Sequence, residues 1–306
     1  MDGAFAVVVP RFHHGNSQLS RVLAGAEPYP PERPLADQLV AGTADETTGS
    51  LRVHRTAEGL KGRRLLCEAI AALTEERHPF VASEGVHLLL TDDGRAASRL
   101  LLPALFQALP LQGRPLAAAP HAGLVIVTGD EDPAGLARLV TLAGQAFARP
   151  DARRLAPAPM VLDGDAWSPW LPEPHHPFHR AVHDLRLRYT GLAYQAQRQA
   201  LTLLRQTGVA VPPVAPLDAS PGPLYDRHTL APWTQTLVDG ADRTDALLPD
   251  ADRVVLVRGD QRSAPLEMSA VRRRCAALIE PLASDPPLLR VRGFPTEAMR
   301  ADLGVV

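Results

Sequence analysis

The chain has 306 residues, 45% of them hydrophobic and 22% charged, which is the balance of a soluble globular protein long enough for two domains. Its formal net charge of -2 gives no electrostatic signal for a nucleic-acid or anionic membrane partner. Two widely separated cysteines offer no disulfide framework or paired metal motif, and no apolar run approaches the roughly 20 residues of a membrane span. We therefore expect a cytoplasmic protein.

In the first half, short apolar runs and helical stripes follow one another irregularly. The predicted strands cover residues 5–9, 39–41, 51–53 and 86–90, with a polar turn at 42–49 and a hairpin around residues 121–123. The predicted helices cover residues 17–25, 60–73 and 96–109, the last kinked at Pro103, and a further helix begins at Pro133 with Asp132 as its N-cap. Because strict alternation of strands and helices is missing, we expect an α+β fold with largely antiparallel or mixed sheets packed against helices.

The second half begins after a segment rich in proline and aspartate. Residues 148–176 predict a connector that contains one short strand at 159–162. A long helix follows, then strands at 253–257 and 288–293, a helix that starts at Ser269 and a last short helix capped by Thr296. We therefore predict an N-terminal α+β domain over residues 1–165 and a C-terminal α+β domain over residues 166–306 that opens with the long helix.

The stretch HLLLTDDGRAASRLLLPALF, residues 87–106, resembles the YtpQ-like family, a bacterial domain of unknown function. A strand, an Asp-Gly turn and an Ala-Ser-Arg that opens a leucine-rich helix carry the resemblance, which covers roughly residues 35–165. It implies an α+β cytoplasmic bacterial protein and no particular activity. Ala96 stands where the family pattern has an acidic residue, which weakens a catalytic interpretation of the turn.

The turn TDDGRAASR places carboxylates, a hydroxyl and a guanidinium at a strand-to-helix junction. Asp93, Ser98 and Arg99 are therefore candidate ligand-binding residues, since backbone N–H groups at a helix start favour an anion and Arg99 adds a bidentate donor. The other interpretation is a capped helix, in which Asp93 or Ser98 accepts backbone N–H bonds and Arg99 is solvated. The residue pattern favours the capped helix.

The segment EPHHPFHRAVHD, residues 173–184, contains four of the eleven histidines. His179 and His183 lie four residues apart on one helix face and could hold a metal with Asp163 from the segment LDGDAW. A catalytic zinc needs a third protein ligand beside an open position, and the glutamate of the HExxH motif is absent. The pattern therefore favours an ordinary, partly exposed helix start, and we expect no metal and no cofactor.

No common catalytic motif accompanies these candidates. GxSxG, a phosphate-binding glycine loop with GKS or GKT, GxGxxG after a strand and paired CxxC are all absent from the sequence. The preferred hypothesis is a non-catalytic binding or interaction protein with a protein or small-molecule partner. The alternative is a metal-dependent hydrolase that uses the histidine cluster at residues 175–183, so the sequence leaves open whether the protein is an enzyme.

Overall fold

The fold is taken from a computed structural model, which describes residues 5–25, 33–47, 50–54, 59–91, 93–150, 153–219, 228–235 and 245–305. Contacts between Cα atoms divide the chain into two compact units. Unit 1 comprises Met1–His13 and Tyr29–Arg186, and unit 2 comprises His14–Pro28 and Leu187–Val306. Both units combine helices with open antiparallel or mixed sheets, so the predicted α+β fold is confirmed.

Seven α-helices lie in the described part of the chain. They are α1 (Arg11–Leu23), α2 (Gly59–Thr74), α3 (Pro103–Gln107), α4 (Pro133–Ala148), α5 (His179–Gln206), α6 (Met268–Arg274) and α7 (Glu297–Asp302). The predicted cap of α4 is confirmed, because the Asp132 carboxylate accepts the N–H groups of Ala134 and Gly135. Thr296 caps α7 in the same way. No helix among the described residues combines the length and the apolar character needed to cross a bilayer.

The described residues of unit 1 form two antiparallel sheets. The first joins β1 (Phe5–Pro10), β2 (Arg33–Pro34), β3 (Leu39–Thr47) and β4 (Ser50–His54). The second joins β5 (Phe80–Ser83), β6 (Val86–Leu90), β7 (Pro115–His121), β8 (Leu124–Gly129), β9 (Arg154–Asp163) and β10 (Ala166–Pro169), in the order β10-β9-β7-β8-β6-β5. The predicted apolar stripe of α2 is buried against the first sheet, and α4 buries Leu136 and Leu139 in the core of the second.

The segment predicted as a connector is largely strand. β9 is a ten-residue strand with eight consecutive buried residues, and it pairs with β7 on one side and β10 on the other. Its prolines Pro157 and Pro159 lie where the β7–β9 register shifts, a bulge that tolerates the missing N–H groups. Because β9 and β10 belong to this sheet, the division between the units lies after Arg186, well beyond residue 165.

Three other predicted elements also differ from the structure. β3 continues to Thr47, through most of the predicted polar turn at 42–49, because β1 pairs with it as far as Ala44 and β4 pairs with it from Thr43 to Thr47. The predicted kinked helix is instead a 3-10 helix, Ala96–Leu101, followed by α3. Pro103 holds Leu102 in a non-helical conformation and then starts α3 at its first turn. α1 begins at Arg11, six residues before the predicted start.

Two sheets are also found in the part of unit 2 that the structure describes. β13 (Arg253–Arg258) pairs in parallel with β11 (Leu230–Thr234) and antiparallel with β14 (Gln261–Arg262) and β15 (Leu266–Glu267). β12 (Asp245–Pro249), β16 (Ile279–Leu282) and β17 (Leu288–Arg292) form an antiparallel sheet with β17 in the centre. The core includes the buried side chains of Trp233, Val254, Leu256 and Cys275. β13 and β17 confirm the predicted strands at 253–257 and 288–293, and β17 ends one residue earlier than predicted.

Candidate functional site

Arg99 is buried in unit 1, with its guanidinium held by groups from two neighbouring segments, 76–78 and 93–95. Only 2% of the residue is exposed. Its Nη1 donates to Asp93 Oδ2 at 2.9 Å and to the Arg95 carbonyl at 3.0 Å, and its Nη2 pairs with the Glu76 carboxylate. Its Nε donates to His78 Nδ1 at 3.4 Å. The prediction that Arg99 is solvated is therefore wrong.

Asp93 accepts hydrogen bonds from both ends of the turn in which it lies. The Thr91 hydroxyl and the Arg95 N–H donate to Asp93 Oδ1 at 2.5 and 2.8 Å, and Arg95 Nη2 lies 3.0 Å from Oδ2. Burial raises the pKa of Asp93, but the hydrogen bonds from Thr91, Arg95 and Arg99 together outweigh it and lower that pKa to about 2. Asp93 is therefore a carboxylate at neutral pH and balances the buried guanidinium.

The network contains two cationic and two anionic side chains. Arg95 and Arg99 face Glu76 and Asp93, while burial and the nearby Arg99 charge lower the pKa of His78. The imidazole is therefore neutral at neutral pH, and the formal charges sum to zero. A site of this kind has no excess positive charge to attract an anion.

The predicted trio of Asp93, Ser98 and Arg99 is brought together only in part. Asp93 and Arg99 form an ion pair, whereas Ser98 is buried and donates its backbone N–H to the Arg95 carbonyl. The N-cap position of the 3-10 helix is Arg95, where no side chain caps the helix. Asp93 accepts the Arg95 N–H one residue before the helix starts, so it stabilises the turn rather than the helix end.

The histidine-rich segment leads into the start of α5. His179 Nδ1 lies 2.7 Å from the Pro172 carbonyl oxygen, and the His179 and His183 rings stack with centroids 6.2 Å apart. His176 Nδ1 accepts the Phe178 N–H at 3.2 Å. Among the described residues, no three or more His, Cys, Asp or Glu side chains are grouped so that they could hold a metal ion. His179, His183 and Asp163 therefore do not form a three-ligand set.

A cleft of about 910 Å³ lies in unit 1 next to the Arg99 network. Most of its lining is apolar: Pro34, Leu35, Ala36, Ala41, Ile70, Leu100, Leu101, Leu102, Pro103, Ala104, Leu105, Ala166, Trp167 and Pro169. Six further lining residues are polar or charged: Arg11, Asp37, Thr74, His78, Asp165 and Ser168. Sequence reasoning missed this site, because its lining comes from many short segments that are far apart along the chain.

Hydrogen bonds and ring contacts hold the walls of this cleft together. Trp167 Nε1 donates to the Leu100 carbonyl at 2.9 Å in a fully buried position, and its ring meets Phe106 edge to face at 5.1 Å between centroids. The Arg99 network joins His78 to the 3-10 helix that continues into Leu100. On another wall, Arg186 Nη2 lies 2.6 Å from Asp37 Oδ2. The cleft is therefore built by cross-linked elements rather than by a single loop.

Comparison with known proteins gives no matching family model, no matching curated protein and no matching solved structure. The resemblance to the YtpQ-like family therefore stays a prediction. The function rests on the geometry of the site.

Proposed function

We propose that this is a non-catalytic cytoplasmic protein that binds a mainly apolar, uncharged small molecule in the cleft of unit 1. One observation carries the proposal: a cleft of about 910 Å³ is lined predominantly by apolar side chains and has polar groups in a few positions. Small-molecule sites have this size and this composition.

The apolar lining accounts for affinity. Burying apolar surface of a ligand contributes roughly 25 cal/mol per Å² removed from water. The walls are already held by the Trp167–Leu100 hydrogen bond and by the Arg99 network, so little ordering accompanies binding. A cleft with preformed walls favours a compact ligand over a long flexible chain.

The polar groups favour an uncharged ligand. Arg11, Asp37 and Asp165 line the cleft with opposite charges, and Asp37 is already paired with Arg186. Neither sign dominates, so a charged ligand would lose its hydration without gaining a complementary site. Thr74 and Ser168 can orient a ligand through single hydrogen bonds.

The metal-dependent hydrolase has no comparable support. His179 contacts the Pro172 carbonyl and stacks on His183, and the described part of the chain contains no cluster of three metal-ligating side chains. The cleft is the better-supported site.

The uncharged dye N-phenyl-1-naphthylamine tests the proposal, because its fluorescence rises in an apolar environment. We expect saturable binding to the wild-type protein and at least about tenfold weaker binding to Ala104→Phe, whose ring would fill part of the cleft. Ala108→Phe is the matched control, since Ala108 is also exposed and ends the same helix but does not line the cleft.

The comparison of dye affinity between Ala104→Phe and Ala108→Phe decides the outcome of this experiment. Both alanines are exposed, so we expect both variants to fold. Thermal melts check this. Dye binding that does not saturate, or that weakens equally in both variants, would show that the unit 1 cleft is not the binding site.

A further inference from the structure

A second, smaller cleft lies in unit 2 and has a different chemical character. Its volume is about 250 Å³. Leu256, Leu266 and Phe294 form apolar parts of its lining, and Arg258, Arg262 and Arg300 bring three guanidinium-bearing side chains to it. Because it lies within unit 2 and is lined by other residues, it is independent of the site proposed above.

The three arginines, called the arginine cleft residues below, come from separate elements. Arg258 ends β13, where it pairs with Gln261 across the hairpin, and Arg262 follows on β14. Arg300 lies in α7, where its Nη1 donates to the Pro295 carbonyl at 2.7 Å and its Cζ lies 5.9 Å from the Phe294 ring centroid. The hydrogen bond and the ring contact fix the direction of the Arg300 side chain.

These positive charges are not neutralised within the described part of unit 2. No Asp or Glu lines the cleft, and none of the arginine cleft residues forms an ion pair there. Other arginines of the same unit do have carboxylate partners: Arg253 Nε lies 3.0 Å from Glu267 Oε1, and Arg292 Nη2 lies 2.7 Å from Glu280 Oε2. The cleft is therefore a local concentration of unpaired positive charge.

We propose that this cleft binds a small organic phosphate whose body is apolar or aromatic. A phosphate monoester carries a charge of about -1.5 to -2 at neutral pH, and its oxygens accept the paired N–H donors of guanidinium groups. Leu256, Leu266 and Phe294 offer a surface for the apolar body next to these donors. A dianionic head on an apolar body matches both parts of the lining.

Isothermal titration with phenyl phosphate, benzoate and benzyl alcohol tests the proposal directly. We expect phenyl phosphate to bind most tightly, benzoate more weakly and benzyl alcohol not measurably, with phenyl phosphate affinity falling as salt is added. Equal binding of benzyl alcohol and phenyl phosphate, or no saturable binding of phenyl phosphate, would overturn the proposal.

Variants locate the bound phosphate. Arg258→Gln combined with Arg262→Gln should weaken phenyl phosphate binding at least about tenfold, because charge-assisted hydrogen bonds are lost. Arg273→Gln combined with Arg274→Gln is the matched control, since these exposed arginines of α6 remove the same charge without lining the cleft. An equal loss in both double variants would mean that only net charge matters and would refute a specific site.

Discussion

Two arginine-bearing turns look alike in the sequence and differ completely in the structure. In unit 1, DDGRAASR places Asp93 beside Arg95 and Arg99, and in unit 2, RGDQR places Asp260 between Arg258 and Arg262. Asp93 contacts both of its arginines, whereas Asp260 forms no ion pair with either of its neighbours in the described chain. The same residue types therefore give a buried neutral network in one unit and an exposed cationic cleft in the other.

The difference follows from burial and from one distant carboxylate. Arg99 is excluded from water, and a buried cation is tolerated only when carboxylates and hydrogen bonds replace its hydration. Glu76, which follows α2, supplies the second carboxylate from 23 residues earlier in the chain. Arg258 and Arg262 remain exposed on a short hairpin, so water replaces the missing partners and leaves their donors available to a ligand.

The largest expected effect is that of removing the buried guanidinium. Arg99→Ala should lower the free energy of unfolding by about 3 kcal/mol, because it leaves Asp93 without its buried partner and removes the link to His78. Urea-induced unfolding followed by circular dichroism measures this change.

The matched control for that variant is Arg64→Ala. Arg64 is 83% exposed and pairs with Glu68 one turn away, so its loss should leave the free energy of unfolding almost unchanged. Similar effects of the two substitutions would show that the Arg99 network contributes no more than a surface pair.

The acid sensitivity of the same network is the next effect in size. The pKa of Asp93 is about 2 in the folded protein, below its ordinary value of 3.8. A lowered folded-state pKa means that Asp93 contributes stability above about pH 4 and loses it as the pH falls through 2. After allowance for solvent screening, we expect roughly 1 kcal/mol of acid-dependent stability from this residue.

Asp93→Asn tests this pH dependence. Unfolding free energies of the wild-type and variant proteins should converge as the pH is lowered from 5 to 2, because the wild-type carboxylate becomes protonated. A constant difference between the two proteins over that range would show that the Asp93 charge does not stabilise the fold.

Much of the fold was predictable because it depends on local patterns. The apolar stripe of α2, the Asp132 cap of α4 and the apolar β13 run each carry their information within a few neighbouring residues. Only residues 159–162 of β9 were predicted as strand, because the prolines of the segment resemble a connector and only the register shift against β7 accommodates them. Pairing between distant strands is not encoded in local spacing.

The candidate sites were less predictable for the same reason. Asp93 and Arg99 were identified from one turn, but their structural role depends on Glu76 and His78, which lie outside that turn. The unit 1 cleft combines residues from Arg11 to Pro169, and no motif in the sequence connects them. The histidines at residues 175–183 illustrate the converse, since closeness in sequence does not bring three metal-ligating side chains together among the described residues.

The smallest expected effect on stability is that of replacing the exposed arginines of unit 2. Arg258→Gln and Arg262→Gln should each change the free energy of unfolding by less than about 0.5 kcal/mol, because both side chains are exposed and form no ion pair. At low salt the change should be slightly stabilising, since removing one of several neighbouring positive charges reduces their repulsion. Urea unfolding at two salt concentrations measures this, with Arg253→Gln as the control that loses its Glu267 partner. Destabilisation by more than about 1 kcal/mol would mean that these arginines hold the hairpin together, and their charge would then serve the fold rather than a bound phosphate.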